Sequence, residues 1–149
     1  MELLFLIREG RVPILAQSEE ILGRFHLTHY EDAGAATLRE RLERLFDVTV
    51  RCLESRNLTP ILTHAQTVAR ERYHAGFDLF EVQTAFNTLE QVIWREIIEK
   101  MEPVDYARAL GSLGTVLGAG KDSLARTYVE CATETKVTSL DLTHLFQGV

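Results

Sequence analysis

The sequence predicts an all-α protein, a helical bundle of about four main helices with shorter helices at its N-terminus. Apolar residues recur at three-and-four spacing along most of the chain, and no segment shows sustained alternation of the β type. The three prolines all stand where a helix can begin. A length of 149 residues fits one ordinary domain. We therefore expect residues 1–149 to form a single input or sensor-like domain, with 137–149 as a C-terminal tail.

Proline, glycine and capping residues divide the chain into six predicted helical blocks, at about 2–9, 13–26, 35–56, 60–75, 79–101 and 104–136. Proline is tolerated in a first turn because the N–H that it lacks would be unpaired there, which suits Pro13, Pro60 and Pro103. Thr59 is predicted to cap the block that contains Pro60. Asp78 and Glu81 have the spacing of a capping box.

Two blocks are strongly amphipathic. The block at 79–101 has a stripe at helical spacing, made of Leu79, Val82, Phe86, Leu89, Ile93 and Ile97. Phe80, Trp94 and Ile98 widen that stripe, which predicts contacts with neighbours on more than one side. The block at 35–56 carries a charged run, Arg39, Glu40, Arg41, Glu43 and Arg44, which we interpret as a solvated face.

Composition excludes several classes of function. Sixteen basic against 22 acidic residues give a net charge of −6, which argues against a sequence-independent nucleic-acid binder. No apolar run reaches the roughly 20 residues that span a bilayer, and the N-terminus lacks the pattern of a signal peptide. Two cysteines distant in sequence favour a reducing compartment. We expect a cytoplasmic protein that binds neither nucleic acid nor membrane.

The histidines are the natural candidates for a metal or cofactor. His26 and His29 precede Glu31 and Asp32, although this segment is more simply interpreted as a helix end leading into a loop. His64 and His74 lie ten residues apart on one predicted helix, about 15 Å along its axis, which is too far for one metal ion. Either could act alone as an axial haem ligand. The favoured prediction has no cofactor and no metal, and a haem- or metal-binding sensor that uses His64 or His74 is the alternative.

Catalytic motifs are absent from the sequence. There is no Gly-x-Ser-x-Gly elbow, and neither Cys52 nor Cys131 lies in a recognisable catalytic motif. The stretch 118–123 resembles a phosphate-binding loop only superficially, since Thr115 and Asp122 occupy the positions that need Gly and Ser or Thr. We predict that the protein is not an enzyme and has no catalytic residues.

Three glycines in the last helical block are the candidate interface. Gly111, Gly114 and Gly118 share one face, with Ala107 one turn earlier. Each glycine inside a helix lowers helix stability by up to about 1 kcal/mol relative to alanine. Three glycines on one face therefore suggest that the small side chain has a structural or functional role there. Accommodation of Trp94 or Phe86 within the subunit is the favoured explanation. A close-packed helix of a partner or dimer mate, or a groove used in movement, remains open.

One segment resembles a known family. Residues 69–94 read ARERYHAGFDLFEVQTAFNTLEQVIW, which is similar to the N-terminal domain of RsbT co-antagonist proteins of the RsbRD type. The family pattern is a basic helix end, a glycine and a polar turn, then an amphipathic helix with aromatic residues. Its features here are Arg70, Arg72, Gly76, Phe77, Asp78, Leu79, Phe86, Ile93 and Trp94. More loosely, 14–22 and 121–128 look like its opening and closing helices.

The resemblance implies a bacterial stress-signalling module that senses or binds proteins, ahead of an effector such as a STAS domain or a kinase. Only about a dozen residues follow the last predicted helix, so we expect a stand-alone relative or a truncated input module that acts on a protein effector or kinase. A homodimer is one arrangement that stays open. The hydroxyl-rich stretch 133–139 is a candidate phosphorylated connector or simply a fraying helix end. A small apolar cluster follows it, at Leu140, Leu142, Leu145 and Phe146.

Overall fold

A computed structural model describes the backbone of residues 2–139 and the side chains of residues 2–135. Seven α-helices and one 3-10 turn make up this part of the chain, in the order α1 Leu3–Glu9, α2 Arg11–Arg24, α3 Thr28–Ala33, α4 Ala35–Ser55, α5 Thr59–His74, α6 Leu79–Lys100, the turn Pro103–Asp105, and α7 Tyr106–Ser139. The predicted all-α bundle is confirmed, with α4 to α7 as its main helices. The predicted apolar cluster at Leu140, Leu142, Leu145 and Phe146 lies outside the described residues.

The start of α6 follows the sequence prediction. The side chain of Asp78 accepts a hydrogen bond from the backbone N–H of Glu81 at 2.9 Å, and the Glu81 carboxylate accepts one from the backbone N–H of Asp78 at 3.5 Å. These two bonds form the predicted capping box. Together they satisfy two backbone donors that the first turn of a helix leaves without partners.

The predicted cap of α5 is wrong. Thr59 is the first helical residue rather than the cap, and its backbone N–H donates instead to Oδ1 of Asn57 at 2.9 Å. Pro60 still lies in the first turn, as expected. An Asn side chain often accepts a hydrogen bond from the backbone N–H two residues onward, which forms a local turn. Here Asn57 makes this bond with Thr59, so the amide side chain of Asn57 rather than the hydroxyl of Thr59 accepts an N–H at the start of α5.

A short helix replaces the loop predicted after residue 26. Residues Thr28–Ala33 form α3, which ends at Gly34 with φ of +89°. Gly76, between α5 and α6, has the same φ. Side chains are strained in this left-handed region, so glycine allows both sharp changes of direction. The Gly76 turn delivers Phe77 into the core, where it is 8% exposed.

The core lies where α7 packs along α5 and α6, while α2 packs on α6 and α4 on α5. Its largest fully buried side chains come from every main helix, including Phe46, Ile61, Leu89, Ile93 and Leu117. Burying a side chain of this size contributes about 1.5–3 kcal/mol. No helix within the described residues is long and apolar enough to cross a membrane.

Candidate interaction surface

One face of α7 carries a stripe of mostly small residues. Gly111 is exposed, and Gly114 and Gly118 are half-buried, on the face opposite the buried residues Leu113, Val116 and Leu124. Helical spacing extends the stripe to Ala107, Ala125 and Val129. From residue 107 to residue 129 it runs about 33 Å along the helix. We call these six residues the α7 stripe.

The glycines of the α7 stripe do not make room for any of the side chains that the structure describes. A Cβ atom added at Gly111, Gly114 or Gly118 meets no described side chain or neighbouring helix within 4 Å. The favoured sequence interpretation, that they accommodate Trp94 or Phe86, is therefore wrong. Close packing against the described residues does not offset their cost in helix stability.

Gly120 is the glycine that accommodates core bulk, and the sequence reasoning missed it. A Cβ atom there would lie 2.8 Å from Cγ1 of Ile61 and 3.0 Å from Cε2 of Phe86. Gly120 is two residues from Gly118, so it faces a different side of α7 and escaped a search for glycines on one face. The close approach of α5 and α6 to α7 at this level explains why only glycine fits.

An exposed tryptophan lies beside the α7 stripe. Nζ of Lys121 lies 2.7 Å from a carboxylate oxygen of Glu90 and 3.0 Å from Oδ1 of Asn87, which fixes the antiparallel register of α6 and α7. Trp94 is one turn beyond Glu90 and two turns beyond Asn87, so the antiparallel register places it near residues 114–117 of α7. Trp94 is 47% exposed and Phe80 is 62% exposed. The predicted contact of α6 with neighbours on more than one side is confirmed, because α6 packs against both α2 and α7.

The candidate metal residues near residue 30 are not brought together. Nδ1 of His26 pairs with Glu31 at 2.6 Å, whereas Nδ1 of His29 pairs with the buried Glu81 at 2.7 Å. Across the described part of the chain, no group of three or more His, Cys, Asp or Glu side chains is arranged to hold a metal ion. Each histidine instead has one carboxylate partner, and the His29 pair joins α3 to α6.

The two candidate haem ligands have unsuitable surroundings. His64 lines a cavity of about 110 Å³, far smaller than the roughly 300–1,000 Å³ of typical cofactor pockets. His74 is exposed at the end of α5, with its ring against that of Tyr73. Burial, Arg72 and Arg44 lower the pKa of His64 below its ordinary value of 6.5. These features give no support to the haem alternative.

The described residues form a helical bundle in which α7, the longest helix, presents a face of small residues that no other described element covers within 4 Å at its three glycines. The family model of the RsbT co-antagonist protein RsbRD N-terminal domain matches residues 16–137. The chain belongs to this family, as its sequence resemblance predicts. The family is a signalling and regulatory one, of the stress-response partner-switching system. No curated protein sequence and no solved structure matches the chain.

Proposed function

We propose that this chain is a non-enzymatic input module of bacterial stress signalling that pairs with a second copy along the α7 stripe and passes its state to a protein effector. The α7 stripe carries the proposal, because three glycines on one helix face have no neighbour within 4 Å among residues 2–135. Small residues let two helix backbones approach closely, which is the usual reason to retain them on a helix surface despite their cost.

Trp94 supports the same face. Exposed aromatic side chains are enriched at the centres of protein interfaces, because they bury a large area and lose little conformational freedom. Trp94 lies near residues 114–117 of α7, beside the α7 stripe, and is 47% exposed. A helix laid against the glycines would meet its indole ring.

Signalling through the α7 stripe requires that the paired α7 helices can pack against each other in two arrangements of similar free energy. An input that favours one packing over the other shifts their populations, and the effector binds one of them better. Glycines at a helix contact allow sliding or rotation without steric clash, so the α7 stripe is a suitable place for this change.

Partner recovery from the native organism tests the functional part of the proposal. Three tagged chains are compared: the wild type, Gly114→Leu, and Gln66→Leu, which adds the same side chain at an exposed position of α5. We expect the wild type and Gln66→Leu to retain the same protein effector, and Gly114→Leu to lose at least about 90% of it, a loss of about 1.4 kcal/mol.

Equal recovery of the effector by Gly114→Leu and Gln66→Leu would contradict the proposal. Circular dichroism and a thermal melt of each chain establish that it is folded before recovery is compared. Leucine at position 114 is expected to preserve the helix, since it is a better helix former than glycine.

A further inference from the structure

A small cavity lies between α4, α5 and α6, on the side of the bundle away from the α7 stripe. It has a volume of about 110 Å³, and Tyr30 of α3 also lines it. Apolar side chains form part of its lining, among them Leu42, Val68, Val82 and Phe86. The cavity is therefore enclosed mainly by the core faces of three main helices.

Positive charge dominates the walls of this cavity. Arg41, Arg44 and Arg72 all line it, with Glu71 as the lining carboxylate. Glu71 is paired with Nη1 of Arg72 at 3.2 Å, and Arg44 is paired with Glu40. Among the described residues Arg41 makes no ion pair within 4 Å, although the carboxylates of Glu71 and Glu40 lie near enough to raise its pKa.

Arg41 is the most informative of the three. Its guanidinium lies 5.4 Å from the ring of Phe77 and 5.9 Å from that of Tyr30, and its Nη1 is buried without a hydrogen-bond acceptor among the described residues. A buried donor on a charged group that makes no hydrogen bond is costly. Burial and the neighbouring Arg72 lower the pKa of Arg41 as well. Arg41 is half-buried, whereas Arg39, Glu40 and Arg44 of the same charged run are exposed, as expected of a solvated face.

Neutral donors accompany the arginines. Burial raises the pKa of Tyr30 to about 12, so its phenol stays protonated and can donate a hydrogen bond. His64 lines the cavity as well. An anion in the cavity would thus have guanidinium, phenol and imidazole groups among its neighbours, together with apolar side chains.

We propose that this cavity binds a small monocarboxylate with a compact apolar body. The carboxylate would accept a hydrogen bond from the buried Nη1 of Arg41, while its alkyl group would contact the apolar side chains of the lining. An engineered cavity of about 150 Å³ holds benzene, so a cavity of this size suits a ligand of about four to six non-hydrogen atoms. Inorganic phosphate fits less well, since the apolar side chains of the lining leave several of its oxygens without donors.

This binding site does not depend on the proposed dimer, because its walls come from one chain and lie away from the α7 stripe. The probe is sodium isobutyrate, added to the full 149-residue chain in a thermal melt. Isobutyramide has the same shape without the charge, and sodium chloride and sodium phosphate at equal ionic strength report general anion effects. Arg41→Gln removes the unpaired charge, and Arg95→Gln removes an exposed one from α6.

Isobutyrate at about ten times its dissociation constant is expected to raise the Tm of the wild type and of Arg95→Gln by about 3 °C or more. Isobutyramide, chloride and phosphate are expected to raise it by less than a third as much, and Arg41→Gln is expected to lose the response. An equal shift with isobutyramide would show filling of apolar space only. An equal shift with phosphate or chloride would show a general salt effect, and either result overturns the proposal.

Methyl NMR of the wild type keeps the test decisive if Arg41→Gln fails to fold. Isobutyrate is expected to shift the methyl signals of Leu42, Val68 and Val82 in a saturable way, while the methyl signals of the exposed Val104 and Val129 stay in place. Absence of saturable shifts at the three cavity residues would overturn the proposal on its own.

Discussion

The carboxylate of Glu81 lies 2.7 Å from Nδ1 of His29, and the same carboxylate also caps α6 through the backbone N–H of Asp78. Its second oxygen accepts the backbone N–H of His29 at 3.3 Å. One buried side chain thus ties α3 to the first turn of α6. Phe77 strengthens the junction, because the His29 ring packs on it with 4.7 Å between centroids.

Glu81→Ala should lower the free energy of unfolding by about 2–3 kcal/mol, since it removes a helix cap and leaves buried donors unpaired. Urea denaturation measures the loss. Glu99→Ala on the same helix is the control, because Glu99 is exposed, and its effect should stay within about 0.5 kcal/mol. Similar losses in the two variants would show that the Glu81 contacts contribute little.

Alanine substitutions should separate the two kinds of glycine in α7. Gly111→Ala and Gly118→Ala should each raise the free energy of unfolding of the monomer by up to about 1 kcal/mol, since the added methyl group meets nothing. Gly120→Ala should lower it by about 1–3 kcal/mol, because the new Cβ would lie 2.8 Å from Ile61.

Thermal melts at low protein concentration provide the measurement for these three variants. Opposite signs at positions 118 and 120, only two residues apart, are the central expectation. Destabilisation by Gly118→Ala would mean that this glycine is packed within the subunit after all.

His64 should make stability depend on pH. Its pKa is lowered from 6.5 by burial, Arg72, Arg44 and Arg51, with Glu71 acting in the opposite direction. As pH falls below 6.5, the unfolded chain therefore binds a proton before the native chain does, and stability is lost down to the native pKa. His64→Gln should reduce the fall in unfolding free energy between about pH 7.5 and pH 5.5. The same fall in both proteins would contradict this assignment.

Both cysteine thiols should be protected in the native protein. Cys52 is 2% exposed and Cys131 is 1% exposed, and burial raises the pKa of the Cys52 thiol. Because the thiolate is the reactive species, an aromatic disulfide reagent should modify them at least about tenfold more slowly than in denaturant. Absorbance of the released thiolate follows the reaction. Rapid modification of either thiol in the native protein would contradict the described packing.

The sequence predicted the main helices well, because apolar spacing and capping residues both act within a few residues of each other along the chain. The spacing of Leu79, Val82 and Phe86 gives the buried face of α6, and Asp78 with Glu81 gives its capping box. The short helix α3 was missed because it has only six residues and one buried side chain, Tyr30. Tertiary contacts such as the His29–Glu81 pair hold it, and helices that short are marginal alone.

The candidate sites depend on which neighbour each face meets, and periodicity carries no such information. Gly118 and Gly120 look alike in sequence, yet one is open and the other lies against Ile61 and Phe86. Arg41 and Arg39 stand in one charged run, yet Arg39 pairs with Glu19 outside while Arg41 lines the cavity. Only the packing of α4, α5 and α6 separates these cases.

Sedimentation equilibrium of the wild type, Gly114→Leu and Gln66→Leu tests the claim that the α7 stripe is a self-association surface. The account predicts a concentration-dependent dimer for the wild type and Gln66→Leu, and dimerisation at least about tenfold weaker for Gly114→Leu. A wild type that stays monomeric throughout, or a Gly114→Leu chain that dimerises as strongly as the wild type, would contradict it.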